Sequence, residues 1–270
     1  MSSTIPAKNP DWDKRIERAI DLAGRHPDAA EILSFYCRIL EFQKGLYERA
    51  GRMPAPAPEG TFREGLDAEI AMQELPELLA LVRTNGPSKL AQEAAGLSKL
   101  PPDERRQVLN AYRQADDADD ARPHAFFARV LFQPLAEHLA AIPAASLEGF
   151  SGMVCPVCGG KPLVAVLRPE GDGGKRFLVC WFCTTEWEFR RILCPFCGEE
   201  DHAKLPRYAA EGIAAVRVEA CETCHSYLKS IDLTVDGHAV PLVDEVATAS
   251  LDLWAMENGF QKIRRNVMGF

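Results

Sequence analysis

The sequence predicts an α+β protein: an all-α N-terminal domain followed by two zinc-ribbon four-cysteine modules and a C-terminal helix. Three observations carry this. Up to about residue 148, apolar residues recur at helical spacing. After Gly149 the chain changes to short alternating runs broken by glycine and proline, the pattern of strands and turns. Between Cys155 and Cys224, eight of the nine cysteines fall into four Cys-x-x-Cys pairs. The expected domains are 1–148, helical; 149–190, a first four-cysteine module; and 191–270, a second such module with the closing helix.

In the helical half, residues 12–24 form one helix with Trp12, Ile16, Ala19, Ile20 and Ala23 on one face. A second, about 28–50, starts after Pro27 with Asp28 at its N-terminus and ends before Gly51; Ile32, Leu33, Tyr36, Ile39, Leu40 and Tyr47 form its apolar stripe. The proline-rich run 53–58 is an extended connector. Helical patterns follow at 64–84, 87–98 and 102–114, then the acidic run 116–120 as a solvated loop. A last helix, 123–141, carries Phe126, Phe127, Val130, Leu131 and Leu135. Beyond Gly149, strands are expected at 162–167, 176–179, 188–193, 215–219 and 227–233, with one helix at 244–258 ending before Gly259.

A two-residue gap between cysteines suits a tight turn that aims both sulfurs at one tetrahedral ion, and two such turns complete a four-cysteine site. The candidate ligands are Cys155, Cys158, Cys180, Cys183, Cys194, Cys197, Cys221 and Cys224. The region repeats internally: Cys-Pro-x-Cys-Gly opens each unit, at 155–159 and 194–198, and the paired knuckles are separated by 21 and 23 residues. One module used twice is therefore expected, Cys155/Cys158 with Cys180/Cys183 and Cys194/Cys197 with Cys221/Cys224. A cross-braced grouping, first pair with third and second with fourth, stays open. In Cys-Pro-x-Cys-Gly the glycine supplies a left-handed conformation that lets backbone N–H groups aim at sulfur. The second knuckles have Thr184 and His225 there, and a β-branched threonine resists positive φ. A different backbone is therefore expected at 180–184. Thiolate tetrahedra suit zinc or iron; spacing alone favours zinc as a structural staple.

Other residues have plainer roles. Trp181, Phe182, Trp187, Phe189 and Phe196 form a small aromatic core around the knuckles. His202 and His225 are surplus as ligands, since eight cysteines saturate two ions. Cys37 is a buried small hydrophobe on the second helix. Arg190-Arg191 and Arg264-Arg265 are solvated surface. The net charge of −8, spread over both halves, weighs against a nucleic-acid partner. There is no phosphate-cradling glycine loop, nucleophile elbow or His-Glu-x-x-His, and four-cysteine sites leave no open coordination position, so no enzyme is expected. No stretch reaches the roughly 20 apolar residues of a membrane span. The N-terminus lacks a charged segment followed by an apolar one, so the expected location is cytoplasmic, where reducing conditions favour metal over disulfides. Two other classes also use such cysteines: a zinc-ribbon nucleic-acid-binding protein, which the acidic balance disfavours, and a dithiol redox protein, which metal at all eight thiolates would exclude.

The residues around the knuckles are more specific than a generic ribbon. Cys180-x-x-Cys183-Thr184-Thr185-Glu186-Trp187 runs into Cys194-Pro195-Phe196-Cys197-Gly198. With Cys155-Pro156-Val157-Cys158-Gly159, Cys221-x-x-Cys224-x-x-Tyr227-Leu228-Lys229 and Leu251-Asp252-Leu253-Trp254-Ala255, this resembles the FdhE family over residues 150–260. The resemblance implies a cytoplasmic accessory protein needed to obtain active respiratory formate dehydrogenase, which interacts with that enzyme's catalytic subunit. It further implies rubredoxin-like binding of two iron ions by the eight paired cysteines, with zinc as the alternative metal.

Overall fold

The computed structural model describes residues 10–51, 61–114, 124–141, 149–171 and 173–270. The proline-rich run 53–58, the acidic run 116–120 and residue 123 of the last expected helix of the first half lie outside them. Contacts divide the chain into two compact units, one of residues 13–34 with those from 149 onward, the other of residues 10–12 with 35–141.

Among the described residues of the first half are six helices: α1 (Trp12–Arg25), α2 (Ala30–Ala50), α3 (Ala68–Asn85), α4 (Ser88–Lys99), α5 (Pro102–Gln114) and α6 (Ala125–Ala141). The boundary between the units falls within α2, after Ser34. In the helical unit, α3 packs against α4, α5 and α6. Asp67 starts α3 by accepting the Glu69 and Ile70 N–H groups at 2.8 and 3.2 Å, which satisfies two otherwise orphaned donors. Leu75, Leu78, Leu79 and Val82 form its buried face. Helix α6 is buried on every side from Phe127 to Glu137, the mark of a central helix. Phe132 of α6 stacks on Tyr112 of α5 with centroids 6.3 Å apart.

The buried face of α1 keeps Trp12 and Ala19 of the expected one but is rotated away from Ile20. Trp12, Arg15, Arg18, Ala19 and Leu22 are buried, and Ile20 is 59% exposed. Periodicity counts arginine as polar and misses this rotation. Arg18 is buried because its guanidinium pairs with Asp244, at 2.6 and 3.1 Å, and with Asp236 at 2.7 Å. A paired charge can occupy a position that an unpaired one cannot.

The cysteine-bearing unit is organised by one mixed sheet. Its strands are β1 (Pro162–Glu170), β2 (Gly173–Cys180), β3 (Glu186–Glu188), β4 (Arg207–Ala209), β5 (Val216–Ala220), β6 (Ser226–Asp232) and β7 (Gln261–Lys262). The order is β3-β2-β1-β6-β5-β4, with β7 also on β6. Each module contributes three antiparallel strands in the order third, second, first. The first strand of one joins the third of the other by parallel pairing, Val164 to Leu167 against Lys229 to Asp232. The repeat in the sequence is thus a repeat in the fold, but the modules share one sheet. Strand β6 is buried at every position, as a central strand covered on both faces would be.

Two expected elements differ. The strand at 188–193 leaves the sheet after Glu188, because the carbonyls of Arg190 and Leu193 are taken by the buried Arg176 guanidinium at 2.8 and 3.3 Å. The closing helix is two, α7 (Pro241–Ala247) and α8 (Ala249–Glu257), broken at Thr248. The Lys229 ammonium donates to the carbonyls of Glu245 and Thr248 there, so a side chain serves the groups that a continuous helix would pair internally.

Candidate metal centres

The sheet explains how cysteines far apart in sequence meet. In each module the first knuckle leads into the first strand, and the second knuckle is the turn between the second and third strands. Pairing β1 with β2 places Pro162 opposite Cys180, which brings knuckle 155–158 to knuckle 180–183. Pairing β4 with β5 does the same for the second module. The result is two four-sulfur clusters, Cys155, Cys158, Cys180 and Cys183, and Cys194, Cys197, Cys221 and Cys224, with sulfurs within 4.8 Å of one another. This is the sequential grouping; the cross-braced one is not formed.

The four knuckles share one backbone. The N–H of Cys155 reaches the carbonyl of Gly160 at 2.7 Å, that of Cys180 the carbonyl of Thr185 at 2.9 Å, that of Cys194 the carbonyl of Glu199 at 2.9 Å, and that of Cys221 the carbonyl of Ser226 at 3.0 Å. The residue after the second cysteine is left-handed in all four: Gly159 at φ 72°, Thr184 at 54°, Gly198 at 80° and His225 at 54°. The different backbone expected at 180–184 is therefore not found. Closure of the turn holds Thr184 in a conformation that costs a non-glycine residue roughly 1–2 kcal/mol. Amide N–H groups two residues on point at the first sulfur of three knuckles, from Val157, Phe182 and Phe196, each at 3.4 Å.

The clusters fit a thiophilic ion. A regular tetrahedron with metal–sulfur bonds of about 2.3 Å has sulfur–sulfur edges of about 3.8 Å. The second cluster has edges of 3.8 Å (Cys194–Cys224) and 3.7 Å (Cys197–Cys221); the first is tighter, at 3.5 Å (Cys155–Cys183) and 3.3 Å (Cys158–Cys180). None of these cysteines is in a disulfide. In the protein alone the thiols cannot all ionise. Burial pushes Cys180 and Cys183 well up and Cys194 up to about 12. The Cys155 thiol is pulled down by hydrogen bonds from Cys158, Cys180 and Cys183. Four thiolates held this close repel one another, and a dication is what makes four compatible.

Around the sulfurs lie groups the sequence reading passed over. Thr185 and Ser226 occupy the same place in the two second knuckles. The Thr185 hydroxyl is 3.1 Å from Cys183 Sγ. Burial raises the Cys224 thiol, but hydrogen bonds from the Ser226 N–H and hydroxyl, with those of Cys197 and Cys221, together outweigh it and the net shift is downward. The signal was a hydroxyl residue two positions after the second cysteine. Arg264, read as surface, is buried with its guanidinium 4.0 Å from the centre of the Trp181 ring. Trp181, Phe182, Trp187 and Phe189 are buried as expected, but Phe196 is 44% exposed. His202 and His225 belong to neither cluster. Cys37 is buried, and burial pushes its thiol up.

The largest missed constellation is a buried ion network behind the second module. Lys229 Nζ lies 2.6 Å from Asp252 Oδ2 and 3.3 Å from Glu245 Oε1. Lys262 Nζ contacts Glu245 Oε1 and lies 2.8 Å from Asp252 Oδ1. Tyr227 donates to Asp252 Oδ1 at 2.9 Å and Asn266 to Glu245 Oε2 at 2.7 Å. The network ties β6 to α7, α8 and β7.

Comparison with known proteins agrees with this architecture. Residues 154–191 match the family description "FdhE, central domain" and residues 192–268 match "FdhE, C-terminal domain". The "Protein FdhE homolog" of Aquifex aeolicus is 29% identical over 92% of this chain and 92% of that protein. The homologue of Pseudomonas aeruginosa is 29% identical over 94% of this chain and 88% of that one. The solved structure titled "The crystal structure of the FdhE protein from Pseudomonas aeruginosa" superposes with a TM-score of 0.73 and 25% identity, covering 97% of this chain and 98% of that one. With its helical first half, its two four-cysteine clusters and these relatives, the chain belongs to the FdhE family.

Proposed function

We propose that this protein is a non-enzymatic accessory protein of a respiratory formate dehydrogenase, acting in that enzyme's maturation or assembly through a complex with its catalytic subunit. What carries the reading is that both cysteine clusters fall inside the two matched segments of the family, 154–191 and 192–268. The chemistry of the clusters supports a role without catalysis. Four cysteines complete a tetrahedral shell and leave no coordination position for substrate. We assign Cys155, Cys158, Cys180 and Cys183 as ligands of one ion and Cys194, Cys197, Cys221 and Cys224 as ligands of the second. Iron is the metal favoured by the family resemblance, with zinc as the alternative. Bound iron would supply a one-electron couple, whereas zinc would supply only the fold.

The chain's own residues hold the sulfurs in place. The N–H groups of Val157, Phe182 and Phe196 stabilise thiolate charge, and the hydroxyls of Thr185 and Ser226 add donors at the second cysteines. Paired thiols of this kind suit the reducing cytoplasm. No helix among the described residues is long and apolar enough to cross a membrane. The test is anaerobic affinity purification from a host that makes formate dehydrogenase, followed by mass spectrometry and elemental analysis. The expected result is the catalytic subunit in the eluate and two ions per chain. An eluate without that subunit would remove the partner reading, and a folded chain without metal would remove the ligand assignment.

A further inference from the structure

The two centres share a knuckle backbone but are shielded unequally. In the first, Cys155, Cys180 and Cys183 are at most 2% exposed, and Cys158 is half-buried. Trp181 and Phe182 pack there, and Trp187 ties its Nε1 to the Gly152 carbonyl at 2.9 Å. The packing leaves no slack: a Cβ on Gly160 would meet Trp181 Nε1 at 2.9 Å and Cys180 Sγ at 3.0 Å. In the second, Cys194 and Cys221 form a buried floor, Cys224 is half-buried, and Cys197 is exposed beside the exposed Phe196. Its rim is spanned by a polar clamp, Thr223 Oγ1 donating to Glu199 Oε2 at 2.5 Å, while Glu199 Oε1 accepts the N–H groups of Glu200 and Asp201.

We propose that the second centre is the exchangeable metal site of this protein, opening at Cys197, while the first keeps its ion. The inference rests on the reading that each cluster holds one ion. In the exchange, a donor atom of an incoming ligand bonds to the ion as the bond to Cys197 Sγ breaks. The freed thiolate takes a proton from water, and no electron is transferred. Further ligand substitution releases the ion and leaves four free sulfurs. At the first centre Cys158 alone is part-exposed, and reaching the other three sulfurs requires local unfolding, which is correspondingly rare.

The test uses the full chain loaded with zinc and a chromogenic chelator, pyridylazoresorcinol, in excess. Release is expected in two phases of one ion each, separated at least about tenfold in rate, since each 1.4 kcal/mol of extra opening cost is a factor of ten. Iodoacetamide added after the fast phase should label Cys194, Cys197, Cys221 and Cys224 and spare Cys155, Cys158, Cys180 and Cys183, read by peptide mass spectrometry. Glu199→Gln, which loosens the rim without removing a ligand, should speed the fast phase and leave the slow one alone. A single phase, or label first on Cys155 to Cys183, overturns the proposal. A folded chain that binds fewer than two ions overturns the ligand assignment beneath it instead.

Discussion

Substituting Lys229 by methionine tests the buried network behind the second centre. Lys229, Glu245 and Asp252 have fully buried side chains, and Lys262 is 4% exposed. Two ammonium and two carboxylate groups balance in formal charge. Methionine fills the volume of the lysine stem, so the cavity contribution is small. What is lost is the 2.6 Å contact to Asp252 Oδ2, the 3.3 Å contact to Glu245 Oε1 and the donor to the Glu245 and Thr248 carbonyls, leaving excess negative charge and unserved carbonyls in the interior. Breaking a buried pair by removing one partner costs about 3–5 kcal/mol, and Lys229→Met should fall in that range. Asp252→Asn leaves excess positive charge and should cost a similar amount, while the amide oxygen still accepts from Tyr227. The double variant restores neutrality, with Lys262 facing Glu245. Its cost should fall below the sum of the singles by roughly 1–3 kcal/mol. The assay is urea unfolding of the zinc-loaded chain followed by tryptophan fluorescence, with zinc stoichiometry checked for each variant. Additivity within about 0.5 kcal/mol would refute the network as an interacting unit. So would a Lys229→Met protein as stable as the parent.

The same network sets a pH dependence. Burial raises the Glu245 carboxyl, but Lys229 and Lys262 outweigh it and hold it down at about 2, against an ordinary 4.5. A depressed carboxyl stabilises the folded state fully above the unfolded value and loses that contribution as pH falls through the folded one. The window is therefore about pH 4.5 down to 2, worth roughly 3 kcal/mol; the acid limb of stability against pH should be flatter by that amount in Glu245→Gln, and parallel limbs would contradict it. Thr184→Gly should raise the thermal midpoint of the zinc-loaded chain, equivalent to about 0.5–1 kcal/mol, because glycine accepts the left-handed backbone without a Cβ clash. A drop would mean that the threonine side chain is needed. Gly160→Ala should destabilise by about 1–3 kcal/mol and weaken zinc at the first centre only; chelator competition showing equal weakening at both would contradict the close packing seen there. Arg18→Met should cost about 3 kcal/mol by denaturant unfolding, the low end for a buried pair because Asp236 is a third exposed. No change would show that α1 is held by apolar contacts alone.

The legible parts of this chain are those in which short-range chemistry decides. Cys-x-x-Cys spacing requires only a tight turn, so all eight sulfurs and the internal repeat could be read directly. The existence of most helices followed from period, and α2 and α5 lie close to their expected bounds. What failed depends on partners far away in sequence. Ile20 lies on the periodic apolar face, yet Arg18 is the residue buried, because Asp244, 226 residues on, accepts from it. The strand expected at 188–193 ends early because Arg176 withdraws two of its carbonyls from pairing. By its own propensity Thr184 resists the left-handed backbone, whereas the turn closed by the Cys180 N–H on the Thr185 carbonyl overrides it. Short β4 and β7, of three and two residues, carry no periodic signal at all and exist only as pairings on β5 and β6.

The motifs that carry the family resemblance acquire a physical meaning from where they sit. In Thr185-Glu186-Trp187, the threonine faces Cys183, the glutamate pairs with Arg168 and the tryptophan holds the segment before the first knuckle. Tyr227 and Lys229 of one motif both meet Asp252 of another, and Trp254 of that second motif packs 4.7 Å from Tyr208 on β4. Trp187, Tyr227, Lys229 and Asp252 are all buried. These residues therefore hold the cysteines in position and present almost nothing to a partner. A resemblance built on them testifies to the two-centre scaffold. The partner contact proposed above would draw on side chains that the scaffold leaves exposed: Met256 on α8 and two residues inside the motifs themselves, Phe196 on the tip of the third knuckle and Leu253 on α8. It follows that cysteine variants which lose metal cannot by themselves locate a docking surface, because they remove the frame that displays it. Substitution of exposed residues in a chain that keeps both ions is the experiment that separates the two roles.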